Sequence, residues 1–149
     1  MSTAVQTKTT WAIATSTGDT VTGHQPTWAE NNPSQTGVPP ERLEIVLADI
    51  CHYTDFSAQG IRVATHGGPG TFTGILGGSI DCHPYAQDPA PRIPVVNLQI
   101  IDDHWIHNLD PDQLAAITAK LRAQADYLDH EIRPALTAAR TDWATHHTT

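Results

Sequence analysis

The chain has 149 residues, 16% of them charged and 39% hydrophobic, and sixteen Asp and Glu against eight Lys and Arg give a net charge of −8. That length suits one domain able to bury a core without disulfides or metals. The two lysines and six arginines are scattered singly, which excludes nucleic acid as a partner because phosphate binding needs clustered cations; no run nears the roughly 20 apolar residues that span a bilayer, so no membrane partner is expected either.

In chain order, residues 1–20 read as a loosely ordered N-terminal segment, rich in Thr and Ser. Their opening is too polar for a secretory leader. A cytoplasmic location is therefore expected, one that keeps both cysteines reduced. Within this segment Trp11 and Ile13 alternate with Ala12 and Ala14, the period of a short strand at 10–15. A single domain is expected over 21–149. It begins with a loop at 24–40, "HQPTWAENNPSQTGVPP", which holds four prolines. Trp28 should pin that loop to the core.

The run 41–52 fits two templates. Leu43, Leu47 and Ile50 share a helical face, yet Leu43, Ile45 and Leu47 also alternate like a strand. Pro40 just before it fits a helix start, and helix is the reading taken. From 60 to 101 the pattern turns to strands. "GIRVATH" alternates, "GGPG" at 67–70 is a turn, and "TFTGILGGSIDCH" alternates again with glycines that suit a bulge. A proline-rich loop leads into "PVVNLQII", where Val96, Leu98 and Ile100 should face the core.

"NLDPDQLAAI" reads as a helix start from about 111, with Asp110 as the cap and Pro111 as the first helical residue. The apolar stripe Leu114, Ile117, Leu121, Ala125, Leu128, Ile132, Leu136, Ala139 and Trp143 advances in steps of three or four. Pro134 interrupts it. A proline inside a helix removes one hydrogen bond and meets the carbonyl four residues back, so a kink or break is expected near Pro134. A straight helix over 111–146 would run about 54 Å, longer than a compact chain of this size, about 40 Å across. Its last turns, with Ile132, Leu136 and Trp143, should then meet a protein partner or a second copy in a homodimer. The expected fold class is α+β: a small antiparallel sheet packed by this long C-terminal helix.

Two Cys-His dipeptides stand out, Cys51-His52 in "DICHYTDF" and Cys82-His83 in "SIDCHPY". Zinc favours Cys and His ligands, but usually with C-x₂₋₄-C spacing, which neither cysteine has. A zinc site would draw on His24, Cys51, His52, Cys82 and His83, with His104 and His107 of "DDHWIHN" as further ligands. In the bland reading the cysteines are small buried hydrophobes and "DDHWIHN" is a hydrated turn. The stretch "HGGPG" at 66–70 is similar to the oxyanion loop of α/β-hydrolases. That chemistry needs the elbow G-x-S-x-G, and "GGSID" lacks its last glycine. No catalytic set is complete. The leading expectation is a non-enzymatic protein-binding or self-associating module without cofactor. A zinc-binding module or small metalloenzyme, and a binder of small apolar ligands, are the alternatives.

At "HQPTWAENNP", "ICHYTDF", "RIPVVNLQI" and "LDPDQLAAITAKLRAQADYL" the chain resembles small actinobacterial proteins known as a domain of unknown function. The resemblance implies an early Trp-Cys segment with a following His, a short sheet, and an Ala/Leu-rich C-terminal helix. It departs at Ala29, which follows Trp28 where those proteins carry the cysteine. Any metal site they hold there would be incomplete here.

Overall fold

The structure is a computed structural model that describes residues 9–64 and 67–147. The histidine of "HGGPG" lies outside them. Three sheets form where one small sheet is expected. The first joins β1 (Thr10–Thr15), β2 (Thr20–His24) and β3 (Gln35–Val38) in the order β2-β1-β3. Strand β2 returns antiparallel on β1, and β3 runs parallel to it. The alternation at 10–15 holds: Trp11 and Ile13 point inward and are fully buried. Strand β3 corrects the loop reading of 24–40. Prolines bracket it at Pro33 and Pro39 without entering it, so its amides stay free to pair.

Trp11, Ile13, Val38 and Ile50 make one core cluster, with Val21, Leu43, Val46 and Leu47 packed around it. The last three belong to one face of α1 (Leu43–Ala48), which follows a 3₁₀ turn at Pro40–Arg42. Ile45 points away and is 56% exposed. Helix therefore wins over strand in 43–48, because the stripe at i, i+3 and i+4 has a core to cover. The helix ends at Ala48, and the Cys-His dipeptide beyond it enters a strand.

That strand is β4 (His52–Phe56). With β7 (Gly77–Cys82), β8 (Val95–Ile101) and β9 (His104–Leu109) it forms an antiparallel sheet in the order β4-β7-β8-β9. The remaining pair, β5 (Gln59–Val63) and β6 (Thr71–Ile75), is a two-stranded sheet. The core face expected for β8 is only partly right. Leu98 is buried, but so is Val95 on the opposite face, and Ile100 is 37% exposed. The expected turn at 102–108 shortens to Asp102 and Asp103, and His104 already begins β9.

The chain divides into two compact units, one ending at Asp110 and the other beginning at Pro111, where the sequence places the helix start. The second unit is α2 (Pro111–Tyr127), a π-turn (Leu128–Ile132) and α3 (Arg133–His146). No interruption separates them. The Arg133 amide donates to the Leu128 carbonyl, five residues back. The disturbance predicted near Pro134 thus takes the form of one widened turn, which gives the ring room next to the preceding carbonyls. Among the described residues no helix is long and apolar enough to cross a membrane.

Candidate functional site

Register brings the two Cys-His dipeptides together. In the β4–β7 ladder His52 stands opposite Cys82, so one step further along Cys51 stands opposite His83. Because successive side chains alternate, the four residues split into two pairs on opposite faces. His52 and Cys82 are buried at 2% and 8% exposure. Cys51 and His83 are half-buried, with the Cys51 Sγ 3.4 Å from the His83 Nε2.

Burial is the main influence on all three titrating groups that are shifted here. It pushes the Cys51 thiol up to about 11, with the negative charge of Asp81 adding to it. It also raises Cys82, whose thiol donates to the Arg92 carbonyl at 3.3 Å. It lowers His52, helped by nearby His24. The His52 Nδ1 is buried with no hydrogen-bond partner among the described residues. A neutral imidazole tolerates that position far better than a charged one. Both cysteines are free thiols and stay protonated near neutrality. A nucleophilic cysteine needs the opposite, a thiolate held by a cation or helix N-terminus.

The proline-rich loop builds the wall beside Cys51. Strand β4 is a sheet edge, and the loop covers it. The Glu30 amide donates to the Tyr53 carbonyl at 2.8 Å. The Asn31 side chain donates to the Cys51 carbonyl at 2.6 Å and accepts from the Tyr53 amide at 3.1 Å. Gln25, itself buried, holds the Asn31 carbonyl at 2.6 Å. Covering an edge in this way satisfies its backbone groups and blocks further strand addition. Beside it lies a cleft of about 300 Å³ lined by Asn31, Pro33, Gln35, Val46, Asp49, Ile50, Cys51 and Tyr53.

A hydrogen-bonded chain crosses the same sheet. Asn97 on β8 is its hub. Its side-chain amide donates to Asp81, which also accepts from Ser79 at 2.8 Å. Its Oδ1 accepts from the Asn108 amide at 2.9 Å and lies 3.2 Å from the His107 Nδ1. Asn108 has a left-handed φ of 58°, and the β8–β9 register shifts between Val96 and Leu98. Asn97 thus satisfies a bulge whose amide has left the ladder.

Of the residues singled out from sequence, Cys51 is brought to His83 and His52 to Cys82, with His24 near His52. His24 ends β2 and is exposed. His104 bonds the Asp102 carbonyl through Nδ1 at 2.9 Å, while His107 turns to Asn97 and stacks on Trp105. An odd spacing on a strand sends these two histidines to opposite faces. No group of three or more His, Cys, Asp or Glu among the described residues is arranged to hold a metal ion. Ile132, Leu136 and Trp143 are exposed at 42%, 57% and 62% on the C-terminal helix. Asp81, Asn97 and Asn31 were not singled out, since each acts through the backbone or another side chain. The only hint was Asn97 breaking the apolar run of "PVVNLQII".

A family described as a domain of unknown function, DUF6907, matches residues 11–138. The chain belongs to that family. No curated protein and no solved structure matches it.

Proposed function

We propose that this DUF6907 protein is a non-enzymatic module that associates with a second copy of itself through the apolar face of its C-terminal helix. One observation carries the reading. The 36 residues from Pro111 to His146 contain no buried side chain, yet Leu121, Leu128, Ile132, Leu136 and Trp143 along them are 39% to 62% exposed. Apolar area of that kind gains about 25 cal/mol per Å² when covered.

The spacing favours a second copy over an unrelated surface. From Leu114 to Trp143 the stripe advances by 3, 4, 4, 3, 4, 4, 3 and 4 residues, an eleven-residue period. The π-turn at Leu128–Ile132 rotates the two halves of the stripe relative to each other, and an identical chain supplies both the same period and the same widened turn. The thiols, Cys82 buried and Cys51 half-buried, stay protonated, which supports a binding role.

Sedimentation equilibrium across a concentration series tests this. The expected mass approaches twice 16.1 kDa, and Leu136→Asp returns it to a single chain. A wild-type protein that sediments as one chain at every concentration overturns the reading.

A further inference from the structure

The Cys51–His83 pair has a second chemistry available to it. A tetrahedral zinc ion holds thiolate sulfur at about 2.3 Å and imidazole nitrogen at about 2.0–2.1 Å, which sets two such ligands about 3.5 Å apart. The Cys51 Sγ and His83 Nε2 already stand 3.4 Å apart. Ligation therefore requires no rearrangement of the strands. We propose that Cys51 and His83 together anchor a binding site for a zinc-class divalent cation.

Three features support the site. Cys51 and His83 lie one residue beyond β4 and β7, next to the last registered pair His52–Cys82, which holds them close to each other. Both are half-buried, which leaves them open to an ion from solvent. Asp81, on β7 two residues before His83, is near enough for its charge to act at Cys51, and a negative charge there favours a bound cation. Binding converts the Cys51 S–H into a metal–sulfur bond and releases its proton to water. With no third protein ligand among the described residues, water fills the remaining positions, and the ion is held in exchange with solution.

Cobalt(II) is the probe, added to the full chain purified without a histidine tag. A thiolate–cobalt bond produces a charge-transfer band in the near ultraviolet that the nine histidines cannot produce alone. The band should appear in wild type and in Cys82→Ser, vanish in Cys51→Ser, weaken at least tenfold in apparent affinity in His83→Gln, and disappear when zinc is added. Far-ultraviolet circular dichroism confirms that each variant is folded, with Cys51→Ala as a second test of the thiol. No band in wild type, a band that survives both Cys51 variants, or full affinity in His83→Gln overturns the proposal.

Discussion

Every buried side chain among the described residues lies between Trp11 and Leu109, whereas the helix from Pro111 to His146 has none. The first unit depends on contacts between residues distant in sequence. Trp11, Ile13, Val38 and Ile50 meet from two strands, β1 and β3, and the turn after α1. The second depends on local hydrogen bonds and on Ala, Leu, Arg and Gln, which are good helix formers. At 36 residues it is well beyond the 12–15 at which an isolated helix becomes marginal. Substitutions should therefore be severe and non-local in the first unit, mild and local in the second.

Trp11→Ala is the largest test of that contrast. The indole is 1% exposed, lies edge-on to Tyr85 with ring centroids 6.3 Å apart, and covers Gly23, where any Cβ would run into it. Removing it should cost about 3–5 kcal/mol, a large part of the roughly 5–15 kcal/mol that holds a domain folded. Thermal melts should show the aromatic near-ultraviolet signal collapsing at much lower temperature, while most helical far-ultraviolet signal persists. Loss of both signals in one shared transition would join the two units into a single cooperative block.

The same contrast decides what could be read from sequence. The stripe of the C-terminal helix and its start at Pro111 were legible because a helix reports its period locally. The strand at 10–15 and the helical face of Leu43 and Leu47 were legible for the same reason, although Ile50, expected on that face, lies beyond the end of α1. Strand β3 was hidden among prolines, since four residues carry too little periodicity to outweigh composition. The pairing of Cys51 with His83 was not legible, because it depends on the β4–β7 register over 32 residues of separation. In the fold the two dipeptides meet across the β4–β7 ladder, where His52 pairs with Cys82.

Acid and alkali should separate the units further, in metal-free protein held with a chelator. Folded His52 resists protonation through burial and the proximity of His24, while the unfolded chain takes up that proton near pH 6.5. The unfolded state then binds more protons, so stability falls as pH drops below 6.5. At the other end folded Cys51 keeps its proton up to about 11, while the unfolded thiol loses it near 9.0. Stability should fall as pH rises through that window. Denaturant titrations should show both limbs in the first unit. His52→Leu should flatten the acid limb and Cys51→Ser should reduce the alkaline one, to which Cys82 also contributes. An acid limb unchanged in His52→Leu would assign it to other groups.

The smallest effect is expected at Pro134, although it is the residue most foreign to its surroundings. Proline withholds the amide that an α-helix would offer to the His130 carbonyl, and its ring crowds that carbonyl. The π-turn at Leu128–Ile132 absorbs both problems, with the Arg133 amide reaching back to Leu128. Pro134→Ala restores an amide and removes the ring, so the widened turn should relax to regular α-helix. The gain should stay below about 1 kcal/mol, because proline already sits in the first turn of α3, where it is tolerated. The exposed Arg133–Asp129 pair at 2.7 Å adds only a few tenths of a kcal/mol to either geometry. Carbonyl chemical shifts at 128–132 should move to ordinary helical values while the melting of the first unit stays unchanged. If the shifts stay put, the wide turn belongs to the sequence "LDHEI" and not to the proline. If the first unit's melting moves with them, the helix is coupled to the sheets and the contrast between the units weakens.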